Sequence, residues 1–257
     1  MLRLLALCAL TLCAVSSQAA LKTQEVEYKD EETVLQGYFA WDDSYKGKRP
    51  GVLVVHDLWG HGPYARRRAE ELAKLGYLAF ANDMYGKGKS VKSHAEARAV
   101  MAPVRGDRAL MRRRAMVAVE VLRKNPLADP AKTAAIGYCF GGTTVLELAR
   151  MGADLKGVAS FHGGLDTPTP AQPGAVKAKV LVLHGADDGH VNPSVPAFQE
   201  ELRAAKADWQ FVSYGGAVHS FTVKEAGDDP SKGSAYNAEA DRRSWAAMKA
   251  FFEEVLR

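Results

Sequence analysis

Cys139 lies in Gly137-Tyr138-Cys139-Phe140-Gly141-Gly142, between a short run with strand character at 133–136 and a helical run at 143–150. A strand, a sharp turn and a helix with a nucleophile at the apex make a nucleophile elbow. The glycines two before and two after the cysteine fit the sterics of such a turn. The apex residue is held in a strained conformation, and a side chain on either flank would strike the neighbouring strand or helix. Most elbows carry serine; here the apex is a thiol. The competing reading is a buried cysteine in a glycine-rich turn, which needs no chemistry.

A free thiol is mostly protonated at neutral pH, so a catalytic cysteine needs a base and a field that favours thiolate. The N-terminus of the following helix supplies part of that field. Of the seven histidines, His219 is the best placed as base, after a strand and the loop Gly215-Gly216-Ala217-Val218. An imidazole in that role needs a carboxylate to fix its tautomer. The strand at 180–184 ends in Gly185-Ala186-Asp187-Asp188-Gly189-His190-Val191. Both aspartates qualify by type. The pattern Gly-x-x-Asp-x-x-Val favours Asp188 and leaves Asp187 as a turn residue. The chain order nucleophile, acid, base is that of the α/β-hydrolase fold. An oxyanion hole would use the backbone N–H of Phe140 and that of Leu58, in His56-Asp57-Leu58-Trp59-Gly60-His61-Gly62.

The elements that must carry these groups alternate along the chain. Residues 24–41 read as an antiparallel hairpin at one edge of a sheet. Residues 51–56 are a continuous apolar run, as in a strand buried on both faces. A helix at 63–75, opened by Pro63 and closed by Gly76, leads to a strand at 77–81 that ends near Tyr85. Residues 84–104 form an irregular excursion over the site, with a short helix from His94 to Met101 stopped by Pro103. A helix at 106–125 and the elbow strand at 133–138 follow, then a helix at 141–151 and strands at 156–161 and 180–184. A helix at 193–206, a strand at 209–214 and a helix at 234–256 complete the chain. Such alternation predicts a mostly parallel sheet with helices on both faces, in one domain spanning 21–257.

The N-terminus has a different purpose. Arg3, an apolar run from Leu4 to Val15 and the small residues Ser16-Ser17-Gln18-Ala19-Ala20 read as a cleavable signal peptide over 1–20. The run is too short for a comfortable membrane span. Periplasmic or secreted placement of the mature chain is the expectation. Cys8 and Cys13 would leave with the leader, so Cys139 would be the one thiol in an oxidising compartment. The net charge of +4 is spread along the chain and argues for neither nucleic acid nor a membrane surface as partner. The Arg112-Arg113-Arg114 cluster reads as the solvated face of a helix.

Together these motifs resemble the dienelactone hydrolase family, from residue 51 to the last helix. The resemblance rests on Val54-Val55-His56-Asp57-Leu58-Trp59-Gly60, the elbow, Phe161-His162-Gly163-Gly164, Gly185-Ala186-Asp187-Asp188 and Val218-His219-Ser220-Phe221. It implies an α/β-hydrolase core with a Cys139–His219–Asp188 triad that cleaves a lactone or small ester through a thioester. No cofactor is implied; a metal on His56, His61 and Asp57 lacks a recognised ligand spacing. The family usually has a glutamate where this chain has Asp57, to help deprotonate the thiol. It also has a carboxylate-binding arginine where Val223 stands, which tilts the expectation toward an uncharged ester unless Arg98 or Arg105 compensates. Asp57, Trp59, Tyr85 and His162 are expected near the thiol or lining its pocket, with structural hydrogen bonding an equal alternative for His162. A non-hydrolytic periplasmic binding or thiol-redox protein, or a peptidase or carbon–halogen hydrolase, could use the same fold. The expected partner is a small-molecule ester or lactone, with the chain a monomer or small homo-oligomer.

Overall fold

The structure, a computed structural model, describes residues 21–89 and 91–257. The expected leader at 1–20, with Cys8 and Cys13, lies outside the described residues. Among the described residues, eight strands form one sheet: β1 (Leu21–Asp30), β2 (Thr33–Asp42), β3 (Arg49–Val55), β4 (Leu78–Ala81), β5 (Ala128–Tyr138), β6 (Gly157–Phe161), β7 (Lys179–Gly185) and β8 (Trp209–Tyr214). Their order is β1-β2-β4-β3-β5-β6-β7-β8. The β1–β2 hairpin is antiparallel, β2 joins β4 antiparallel, and every other pairing is parallel. This is the α/β-hydrolase architecture with the hairpin at its edge.

Six α-helices of the described residues cover the sheet: α1 (Pro63–Ala73), α2 (His94–Gly106), α3 (Arg108–Lys124), α4 (Phe140–Arg150), α5 (Val195–Ala204) and α6 (Ala238–Val255). The apolar strand runs are explained by which side each residue faces. Leu53 and Val55 point to the layer holding α3, α4 and α5, whereas Val52, Val54 and Ile136 point to the layer holding α1 and α6. Both faces are therefore core, and period-two alternation vanishes from the central strands. Helix α4, at the centre, is buried along its whole length. Its Glu147 is fully buried but bonds Arg150 at 3.0 Å and Arg112 at 2.6 Å, so the charge is paired.

The elbow strand β5 begins at Ala128, earlier than the expected 133, and two helix ends lie four or more residues from expectation. Helix α2 does not stop at Pro103 but continues to Gly106. Proline removes one backbone hydrogen bond, yet Val104 beyond it is buried and Arg108 Nη1 donates to the Arg105 carbonyl at 2.9 Å. Burial and this cap outweigh a defect confined to the last turn. The last helix begins at 238, where the Asn237 side chain accepts from Ala240 N–H at 3.0 Å. Residues 234–237 are instead drawn to the His219 loop, through a bridge between His219 and Ser234 and a bond from Ala235 N–H to the His219 carbonyl at 3.0 Å.

Candidate active site

The elbow is assembled by sterics. Cys139 has φ 51° and ψ −112°, a conformation that costs roughly 1–3 kcal/mol for a residue with a side chain. A Cβ on Gly137 would lie 2.0 Å from the Gly141 carbonyl oxygen, and one on Gly141 would lie 2.2 Å from that of Val55. Only glycine fits at either flank. The strain is held by the Cys139 N–H, which reaches the Phe161 carbonyl at 3.0 Å and the His162 Nδ1 at 3.2 Å. The thiol is left half-buried at the carboxyl edge of the sheet, above the N-terminus of α4.

Two loops from that edge bring the partners in. His219 Nε2 lies 3.1 Å from Cys139 Sγ, and His219 Nδ1 lies 2.7 Å from Asp188 Oδ2. Asp188 is fully buried, and its Oδ1 accepts from the N–H groups of His190 at 3.1 Å and Val191 at 3.2 Å. Burial works against its charge, but the His219 contact and these N–H groups win, and its pKa falls below the ordinary carboxylate value. Burial likewise opposes a charged His219. The sulfur and the Asp188 carboxylate overcome it and raise the imidazole to about 10. Asp187 is exposed and accepts from Gly216 N–H at 3.0 Å, bracing the loop that carries His219.

The Leu58 N–H has no intramolecular acceptor among the described residues, and that of Phe140, first in its helix, has no acceptor within the helix. Leu58 borders the thiol cavity, and its carbonyl accepts from Tyr85 Oη at 3.2 Å. Tyr85 itself is buried, packed between His56 and Phe140 rather than facing the cavity. It supports the loop through the Leu58 carbonyl. His56 is also structural: Nδ1 lies 2.6 Å from the Asp57 carbonyl and Nε2 accepts from Met84 N–H at 3.1 Å. Both nitrogens are thereby engaged within the protein. Trp59 is exposed, stacked at a tilt against His94 with ring centroids 4.7 Å apart.

Asp57 is buried, and its Oδ1 accepts from Trp59 N–H at 2.9 Å. Burial raises its pKa to about 6, with Glu225 adding repulsion. The sulfur's hydrogen-bond partner is His219, whereas Asp57 braces the loop after β3 while bordering the cavity.

His162 does not line the cavity. It is fully buried beneath the elbow at φ 40°, its Nδ1 bonded to the Cys139 amide and its Nε2 2.7 Å from Thr222 Oγ1. Accepting a backbone N–H requires Nδ1 to be unprotonated, so the ring is the neutral Nε2–H tautomer. Burial, His219 and Arg68 each push its pKa down, well below the usual imidazole value. Thr222 Oγ1 passes the connection to Tyr64 Oη at 2.6 Å, and the buried Arg68 holds the Thr222 carbonyl at 3.2 Å. Sequence reasoning singled out none of Thr222, Tyr64 or Arg68. Thr222 follows the His219-Ser220-Phe221 motif directly, which is the one local signal that it shares the site.

Two cavities meet at the thiol. One, of about 360 Å³, is bordered by Met101, Arg105, His190 and Val191; the other, of about 550 Å³, by Trp59, His94, Val223 and Lys232. Both touch Leu58, Arg98, Cys139 and His219. Arg105 is committed to Asp166 at 3.3 Å, whereas Arg98 has no ion-pair partner among the described residues. No group of three or more metal-binding side chains occurs among the described residues, and none of their helices is long and apolar enough to cross a membrane.

A sheet of this order, with a thiol, an imidazole and a carboxylate from the loops after β5, β8 and β7 at one edge, defines an α/β-hydrolase. The chain belongs to the dienelactone hydrolase family, whose model matches residues 35–256. A Methylorubrum extorquens protein named as a candidate carboxymethylenebutenolidase is 27% identical over 241 residues, 90% of this chain and 80% of that one. The solved structure titled m3DLH is 42% identical, with a TM-score of 0.88, covering 93% of this chain and 100% of its own. A dienelactone hydrolase-like promiscuous phosphotriesterase from metagenomic libraries, P91, is also 42% identical, with a TM-score of 0.87 over the same shares. The chain is thus a hydrolase of the carboxymethylenebutenolidase type, acting on a small molecule.

Proposed function

We propose that the chain hydrolyses carboxylic esters or lactones with Cys139 as nucleophile, His219 as acid and base, and Asp188 orienting His219. One observation carries this reading: Sγ, the imidazole and the carboxylate stand in a continuous line at 3.1 Å and 2.7 Å. With His219 protonated on both nitrogens, Nε2–H donates to a thiolate and Nδ1–H to Asp188. The thiolate attacks the carbonyl carbon, and the oxyanion accepts from the N–H groups of Phe140 and Leu58. His219 gives its Nε2 proton to the departing alkoxide, leaving a thioester. Water then gives a proton to His219 and attacks the thioester; the thiolate leaves and the acid is released. Asp57 takes no proton in this sequence.

Cys139→Ala is expected to abolish turnover of p-nitrophenyl acetate, measured by nitrophenolate release, while Cys139→Ser keeps a fraction because base and oxyanion donors also suit a hydroxyl. Undiminished turnover by the alanine variant removes the sulfur from the mechanism. Export with loss of the leader, cleaved after Ala19 or after Ala20, belongs to the same proposal. The mature N-terminus read by peptide sequencing should be Ala20 or Leu21, and an intact Met1 in periplasmic or secreted material contradicts it.

A further inference from the structure

Helix α2 presents His94, Arg98, Met101 and Arg105 to the two cavities, at spacings of four, three and four residues. That spacing places them along one face of a helix. Eleven residues of rise make this stripe about 16 Å long. Its N-terminal end, with His94 stacked on Trp59, belongs to the larger cavity. Its C-terminal end, with Met101, belongs to the smaller one. Arg98 borders both, as do Cys139 and His219. The thiol therefore sits under the middle of a two-armed cleft roofed by one helix, rather than at the bottom of a single pit.

A nucleophile at such a junction leaves room for a substantial group on each side of the bond it attacks. A compact lactone closes its acid and alcohol parts into one ring and fills one arm at most. We propose that this chain selects open-chain esters bearing an apolar group on both the acid and the alcohol side, with Trp59 and His94 gripping one group and Met101 and Val191 the other. The inference deepens the thioester reading, naming its substrate class, and makes α2 the specificity element. The physical source is burial of apolar surface in each arm: a phenyl-sized group gains about 1.5–3 kcal/mol when fully buried, or at least about tenfold in affinity.

The test uses ketones, in which a methylene replaces the ester oxygen so that no hydrolysis can follow, titrated calorimetrically into the folded Cys139→Ala protein. Ketones with a phenylethyl group on both sides should bind at least about tenfold tighter than methyl ketones with one such group. Adding Trp59→Ala, or separately Met101→Ala, should bring the two-sided ketone back to one-sided affinity. The one-sided ketone, which can move to the intact arm, should lose less than about threefold. Equal affinity of one- and two-sided ketones overturns the proposal, and so does an equal loss of both in either variant. Wild-type turnover of the matching esters reads the reaction separately. Tight two-sided binding with no hydrolysis would sink the thioester mechanism and leave the cleft assignment standing; weak one-armed binding with brisk hydrolysis would do the reverse.

Discussion

Replacing Asp57 by asparagine should stabilise the protein, and only above a defined pH. Asp57 is 4% exposed, with one hydrogen bond from Trp59 N–H, and burial lifts its carboxyl from 3.8 to about 6. Between those values the folded protein holds a proton that the unfolded chain has released. Stability therefore falls as pH rises through the window and stays lowered above it. At about 1.4 kcal/mol per pH unit, the gap corresponds to about 3 kcal/mol. Asparagine keeps an oxygen for the Trp59 N–H and cannot ionise. The variant should match the parent at pH 4 and exceed it by up to about 3 kcal/mol at pH 8, which for a domain of this size is a rise in Tm of roughly 5–10 °C. Thermal unfolding followed by circular dichroism at the two pH values measures this. A variant no more stable than the parent at pH 8, or an advantage equal at both values, would refute the claim that burial dominates this carboxyl. The same protein tests the chemistry. Because the sulfur is bonded to His219, Asp57→Asn should retain esterase activity within about tenfold. A loss as deep as that of Cys139→Ala would make Asp57 a proton carrier after all.

Three further perturbations address the frame around the thiol. Gly141→Ala drives a Cβ to 2.2 Å from the Val55 oxygen, and at least about 3 kcal/mol of stability should disappear, seen as a lowered denaturant midpoint or loss of soluble protein. Thr222→Val removes the partner of both His162 Nε2 and Tyr64 Oη, and should cost about 1–3 kcal/mol in urea unfolding while leaving the Cys139–His219 contact in place. Asp188→Asn replaces the carboxylate that holds His219 Nδ1 at 2.7 Å, and turnover of p-nitrophenyl acetate should fall at least about tenfold; unchanged turnover would contradict an orienting role for Asp188.

Local signals carried the architecture a long way. Continuous apolar runs at 51–56 and 180–184 announce strands buried on both faces, because such strands lack a polar side. The glycines around Cys139 announce the elbow, because the clash they avoid is set by backbone within a few residues, together with one neighbouring strand. Helix limits were less legible. Pro103 is a local stop signal, but burial of Val104 and the reach of Arg108 to the Arg105 carbonyl come from packing that no short window contains.

For the site, the sequence by itself determined the chemical types and their order: a thiol at an elbow, an acid in a Gly-x-x-Asp-x-x-Val loop and a histidine after the following strand. Tertiary structure alone decided their distances, the burial that sets Asp57 and His162, and the placing of His162 beneath the Cys139 amide instead of in the pocket. It also decided that α2 lies over a two-armed cleft with the thiol at its junction. Residue types and short-range turns are written into adjacent positions of the chain. Proximity between residues 58, 98, 139, 162 and 219 depends on sheet order and on the packing of helices onto it, which no stretch of neighbouring residues encodes.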